Sequence, residues 1–272
     1  MEDSVPAQGE ADRELDDAFG RSVDEGTHRL ERSLPGLLST GAVGGIDVCF
    51  GVFALLIVEA YTGNRLLAAL AFGSGFIALT LAGSELFTEN FLVPIAAVVA
   101  HRASPLAVLR LWGGTALTNL LAGWVVTWLI ITGFPGLGGV AREAAVHFAD
   151  GGIGAQSLAS AVLGGATITL MTWMERSTTS DTARLTAAVM TAFLLAAAPL
   201  DHVIVASLEM FAGLHAGAGF GYGTWAATAC WYAFGNVVGG VGLVTVLRLV
   251  QVGEGRIREH RPAGRSRERR AS

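Results

Sequence analysis

The sequence predicts an all-α membrane protein of six transmembrane helices, built as an inverted repeat whose second and fifth helices are broken. Four observations predict this class. The chain of 272 residues is 52% hydrophobic and 15% charged, with a mean hydropathy of +0.52. Several of its apolar runs approach the roughly 20 residues that a bilayer crossing requires. Its 36 glycines lie largely inside those runs, where small residues let helix backbones approach one another in lipid. Finally, the run Gly83-Ser84-Glu85-Leu86-Phe87-Thr88-Glu89-Asn90 interrupts an apolar stretch. Carboxylates, a hydroxyl and an amide cannot face hydrocarbon without partners. Backbone that leaves the helix at membrane depth survives only where protein buries it or where it lines a cavity.

Residues 1–33 are polar and acidic and read as a cytoplasmic tail, disordered or loosely helical. A transmembrane channel domain spans 34–252. Its first span runs from about Leu37 to Tyr61. The second starts near Leu66, breaks from Gly83 to Asn90 and resumes from Phe91 to Ala100. The third runs from about Leu109 to Thr132, and a Gly-rich loop from Gly133 to Gly154 follows, carrying Arg142, Glu143 and Asp150. The fourth covers Leu158 to Met174. The fifth starts near Leu185, breaks at Pro199-Leu200-Asp201-His202 and continues to Leu214; the sixth covers Trp225 to Val250. Residues 253–272 form a basic tail.

Arginine counting sets the orientation, because basic loops stay on the cytoplasmic side. The chain has no lysine, so all 18 basic residues are arginine. The side that holds both termini also holds Arg102, Arg110, Arg176 and Arg184; the other holds Arg65 and Arg142. Both termini are therefore expected in the cytoplasm, with the protein in the cell (inner or plasma) membrane. The tail from Arg256 to Arg270 reads as a juxtamembrane basic segment rather than a nucleic-acid arm. Cys49 and Cys230 lie in apolar runs and read as packing residues. No cleavable signal peptide is read, since the first apolar run begins near Leu34. No nucleophile triad, metal-ligand cluster or phosphate-binding glycine loop stands out, so no cofactor and no enzymatic activity are expected.

The two halves echo each other. Asn119-Leu120-Leu121-Ala122-Gly123 in the third span resembles Asn236-Val237-Val238-Gly239-Gly240 in the sixth, and Gly44-Gly45 resembles Gly164-Gly165. Three spans per half invert the second half. In such inverted repeats, paired broken helices place a solute site near the midplane.

Together, Leu86-Phe87-Thr88, Asp201-His202 and Gly235-Asn236-Val237-Val238-Gly239-Gly240 resemble the formate/nitrite transporter family. Phe72-Gly73-Ser74-Gly75-Phe76, Trp112 with Asn119 to Gly123, and Leu170-Met171-Thr172-Trp173-Met174 extend the resemblance over Leu37 to Val250. It implies an aquaporin-like protomer in a homopentamer with one pore per protomer. It also implies passage of small monovalent anions such as formate, nitrite or hydrosulfide, often with a proton. Matching positions make His202 the central pore residue and Thr88 its partner. Phe72, Phe76, Leu86, Phe87 and Leu195 fall on the constrictions, while Asn119 and Asn236 tie helices together more than they touch solute.

The chemistry of such a site is simple. A bare anion crossing an apolar ring loses its hydration, and a neutral acid loses far less. An imidazole, whose unperturbed pKa is about 6.5, can lend a hydrogen bond or a proton at that point. Asp201 is expected to orient that ring or stabilise its charged form. The chain also departs from the family pattern. Ala149, followed by Asp150, stands where many members carry an anion-attracting lysine. Gly165 stands at a usual asparagine, and Val203 and Ala206 replace polar residues after the histidine. A neutral-solute or weak-acid pore and a non-transporting assembly protein are the competing readings. Asp47 and Glu209 lie deep in apolar runs and have no partner that the sequence names.

Overall fold

The computed structural model describes residues 5–262 of the chain. The remainder of the expected basic tail, residues 263–272, and residues 1–4 lie outside the described residues. In chain order the helices are α1 (Val5–Glu31), α2 (Leu34–Thr62), α3 (Arg65–Ala82), α4 (Val93–Val99), α5 (Pro105–Gly133), α6 (Gly138–Gly151), α7 (Ala155–Ser177), α8 (Asp181–Ala197), α9 (Val203–His215), α10 (Tyr222–Val237) and α11 (Val246–Glu259). A 3-10 turn, Phe87–Phe91, precedes α4, and a π-helical stretch, Val238–Thr245, joins α10 to α11. Six crossings follow: α2, α3 with α4, α5, α7, α8 with α9, and α10 with α11. Among the described residues, five uninterrupted helical stretches are long and apolar enough to cross a bilayer by themselves; the fifth crossing is split into two shorter helices, α8 and α9.

Local chemistry sets the helix ends. Ser33, Asn64, Ser104 and Ser180 each accept backbone N–H groups at a helix start, which satisfies donors that have no partner within the helix. Gly63 and Gly83 end α2 and α3 at φ 60° and 63°, where a side chain would be strained. Past Gly83 the chain leaves the helix for three residues, as the polar run predicted. Of the two packed halves, one sets α2 between α3 and α5, and the other sets α7 against α8, α10 and the π-helical stretch. Leucines and tryptophans such as Leu117, Leu121, Trp124, Trp128 and Leu163 stay exposed on the outside of the bundle, an apolar belt suited to lipid or a neighbouring protomer.

Two expectations are corrected. The segment expected as a loop from Gly133 to Gly154 is mostly the helix α6. Its interior is alanine-rich, with glycine confined to the ends, so helix propensity prevails. Ala141, Ala144, Ala145 and Phe148 recur at helical spacing and are buried, with Gly213 of α9 letting Ala141 and Ala145 approach closely. The acidic leader is also no loose tail where it is described, since α1 is continuous and docks beneath the bundle. Ala18, Phe19, Ser22, Val23, Gly26, Arg29 and Leu30 form its buried stripe. Gly26 sits against the backbone carbonyl of Val93, where any Cβ would collide.

Charges complete that docking. Arg29 pairs with Glu25 at 2.7 Å and with Glu85 at 3.3 Å, Arg32 pairs with Glu85, and Arg29 donates to Asn90 Oδ1 at 3.1 Å. Arg110 donates to the carbonyls of Leu30 and Arg32, and Arg256 pairs with Asp12 at 2.8 Å. Burial would raise the pKa of Glu25, but Arg29, Arg176 and Arg32 outweigh it and hold the carboxyl at about 2 against a free value of 4.5.

Because the folded pKa of Glu25 is depressed, its contribution to docking is fully present above about pH 4.5 and is lost as pH falls towards about 2. Replacing Arg29 and Arg32 together with glutamine leaves Glu85 buried and without a cation. The expected cost is about 3–5 kcal/mol, read as a lower denaturation temperature in detergent and protease access to α1; an unchanged temperature would contradict it.

Candidate pore site

The two breaks are bonded in the same way. Asn119 of α5 accepts the Phe87 N–H at 2.9 Å and donates from Nδ2 to the carbonyls of Gly41, at 2.6 Å, and Glu85, at 2.9 Å. Asn236 of α10 accepts the Val203 N–H at 2.8 Å and donates to the carbonyls of Ala161, at 2.7 Å, and Asp201, at 2.9 Å. One amide therefore ties each break to the helix opposite. A neutral amide suits both ends of the task, because it accepts and donates at once. The glycine pairs read as an echo complete the match. A Cβ on Gly45 would lie 2.9 Å from Asn119 Cα, and one on Gly164 would lie 3.4 Å from the Asp201 carbonyl carbon. Gly165 lies directly on the Asn236 backbone, which leaves no room there for the asparagine of the family pattern. Both asparagines are fully buried, and all three bonds that each makes are to backbone.

The clamped breaks bring Thr88 and His202 together. Thr88 Oγ1 lies 2.6 Å from His202 Nε2, and neither residue has exposed surface. His202 Nδ1 accepts the Val205 N–H at 3.3 Å and so caps α9. A nitrogen that accepts cannot carry a proton. The partners therefore assign the neutral imidazole with its proton on Nε2, donated to Thr88 Oγ1. The Thr88 hydroxyl then keeps its own proton free to donate onward. Protonating Nδ1 as well would set donor against donor at the first turn of α9.

Phe72, Phe76, Leu86, Phe87 and Leu195 all belong to one buried cluster with Val203. The Phe72 and Phe76 rings lie 5.5 Å apart, and Phe87 is packed edge-on against Phe91 and Trp112 at 5.0 and 6.0 Å. Asp201 is not the orienting group that was expected. Its backbone N–H donates to Ser160 Oγ at 3.0 Å, and among the described residues no hydrogen bond joins it to His202. It lines instead a cavity of about 460 Å³ with His147, Asp150, Gln156, Ser160 and Pro199. Asp47, unexplained in the sequence, accepts from Ser84 Oγ at 2.6 Å within the first break. Among the described residues no group of three or more His, Cys, Asp or Glu side chains is placed to hold a metal ion.

Helices broken at membrane depth around a sealed histidine define a multi-pass membrane protein of the channel and transporter class. The chain belongs to the formate/nitrite transporter family, whose profile, described as Formate/nitrite transporter, matches residues 16–250. Among its relatives, the Inner membrane protein YfdC of Escherichia coli (strain K12) is 26% identical over 195 residues, covering 68% of this chain and 62% of that protein. The Uncharacterized transporter YrhG of Bacillus subtilis (strain 168) is 27% identical over 122 residues, 43% of this chain and 46% of that one. The matches thus span less than two thirds of the length of these relatives. Among solved structures, an FNT family ion channel matches with a TM-score of 0.75 at 18% identity, covering 85% of this chain and 96% of the other. A pentameric formate channel with formate bound matches with a TM-score of 0.63 at 19% identity, covering 79% and 95%. These likenesses establish the shared helical fold.

Asn119→Asp and Asn236→Asp test the clamps. Each keeps the acceptor but turns a carboxylate oxygen on two carbonyls. With two bonds lost and buried groups left unpaired, each is expected to cost about 3 kcal/mol or more. Thermal denaturation in detergent measures this, and a variant as stable as the parent would refute the clamp.

Proposed function

We propose that this chain conducts small monovalent weak-acid anions of the formate and nitrite kind across the cell membrane, with proton transfer at His202. The sealed Thr88–His202 pair, 2.6 Å apart within the apolar cluster, carries the reading. An anion approaching the pair meets the free Thr88 hydroxyl proton as a hydrogen-bond donor. Behind it stands Nε2–H, which follows through the threonine oxygen once Nδ1 has let go of the Val205 N–H and taken up a proton, so that the donor is the imidazolium and the ring returns to neutral. Phe72, Phe76, Leu86, Phe87 and Leu195 are the collars that exclude water and make the neutral acid the cheaper species to pass. Asn119 and Asn236 act as positioning residues. Asp201 belongs to the outer approach and not to the proton-donating pair. The pentameric formate channel supports a homopentamer. Lipid and protons are the other partners. Both termini lie in the cytoplasm, supported by the arginines on the face that holds α1 and α11.

One observation favours a second reading, a pore that admits the neutral acid only. The outer cavities are lined by Glu59, Glu143, Asp150 and Asp201, against Arg65 and His147. That mouth is net acidic and does not draw anions in.

Flux of formate, nitrite, acetate, lactate and hydrosulfide into liposomes at two pH values tests both. Anion conduction predicts a current, whereas passage of the acid predicts electroneutral uptake that tracks the protonated form. His202→Asn is expected to lower flux about 100-fold, the scale of a lost general acid, while the oligomer still assembles. Unchanged flux and an unchanged pH response in an assembled variant would exclude the role of His202.

A further inference from the structure

Glu209 is a carboxylate that the site described so far does not use. It lies in α9, seven residues beyond His202 and so about 10 Å further along the helix axis. Seven residues is close to two helical turns, so both side chains leave the same side of α9. Ala206 shares that side and is small, and at Gly213, a further turn on, α6 closes over it. Glu209 is 2% exposed, its Oε2 is sealed with no hydrogen-bond partner, and no ion pair reaches it among the described residues.

The neighbouring elements supply little to neutralise it. Those packed on α9 carry Asp47, Glu59 and Tyr61 on α2, Arg110 on α5, which is taken up by the carbonyls of Leu30 and Arg32, Arg142, Glu143, His147 and Asp150 on α6, and Tyr222 and Tyr232 on α10. Arg65 stands at the start of α3. Arg65 lines an outer cavity of about 250 Å³ with Glu59, Val140, Glu143, His147 and Pro199. Glu59 Oε2 is sealed and unpartnered as well. Glu209 therefore stands on the His202 side of α9, towards its outer end, with no bonded cation among the described residues. An ionised carboxylate sealed this way, without a bonded cation, is costlier than the neutral acid.

We infer that Glu209 is a second proton-donating station of the conduit, on the outer side of His202, which neutralises an incoming carboxylate before it meets the apolar collar. This rests on the proposed weak-acid transport. In the step, the Glu209 carboxyl O–H gives its proton to a carboxylate oxygen of the solute. The solute leaves as the neutral acid, Glu209 is left as carboxylate, and it recovers a proton from water in the outer cavity. One proton thus enters with each solute molecule. Such a station explains how an acidic mouth without lysine can serve a weak acid.

The test uses formate as the probe and the whole protein in liposomes. Dicyclohexylcarbodiimide, which reacts with protonated carboxyls inside membranes, is expected to label Glu209 of the unaltered protein and to block formate uptake, with excess formate slowing the labelling. Glu209→Gln, of equal volume, is expected to lower uptake at least about tenfold and to flatten its dependence on outer pH between about 5 and 8. No label on Glu209 at acidic pH overturns the inference, as does an assembled Glu209→Gln protein with the parental pH profile. If that variant does not assemble, labelling of the unaltered protein decides. Should the unaltered protein carry no formate at all, the transport reading itself falls, an outcome distinct from uptake that persists without a role for Glu209.

Discussion

Breaking a helix inside a bilayer strands backbone donors and acceptors where no water can meet them. This chain does so twice, and both times one asparagine from an intact helix resolves the problem. Asn119 and Asn236 each accept the first N–H beyond the break and donate to one carbonyl before it and one on the facing helix. Without them the breaks would have to close into continuous helix or fill with water. With them, Thr88 and His202 are delivered to the same point from opposite halves of the chain.

The first break needs more than its clamp, because it carries charge. Ser84 finds Asp47, Glu89 accepts from the Leu86 N–H, and Asn90 and Glu85 find Arg29, with Arg32 also on Glu85. Two of these partners come from or border α1, a helix outside the six crossings. The second break has α6 in the matching place, packed on α9, but among the described residues no ion pair joins the two, and this break carries a histidine where the first carries Leu86. The halves thus share their backbone solution and differ in chemistry, one half supplying the hydroxyl and the other the imidazole.

Much of this was legible in the residues. The polar run after Gly83, the Pro199-Leu200-Asp201-His202 run and the matched Asn and Gly pairs placed the breaks, the repeat and the tying role of both asparagines, since each feature breaks a local rule that lipid enforces. What escaped was whatever depends on partners distant in sequence. The acidic leader looked disordered by composition, yet its Ala18-Phe19-Ser22-Val23 stripe at helical spacing was visible and its docking surface was not. The Gly133–Gly154 segment was judged by its terminal glycines, and its alanine-rich interior prevailed. Asp201 was paired with His202 by adjacency alone, but neighbouring residues at a helix start point apart. Asp47 and Glu209 were recognisable as misplaced charges, and only the folded chain shows that the first has a partner while Oε2 of the second has none.

The account turns on a histidine whose two nitrogens are both committed, Nδ1 to the Val205 N–H and Nε2 to Thr88. It predicts a neutral ring with its proton on Nε2 at rest, held there by the geometry of the clamps. Solid-state nitrogen NMR of the histidine-labelled protein in lipid, with His202→Asn used to assign the signal, measures this directly. A bare Nδ1 and a protonated Nε2 hydrogen-bonded to threonine at neutral pH is the result predicted. A resting imidazolium, or a ring carrying its proton on Nδ1, would contradict it.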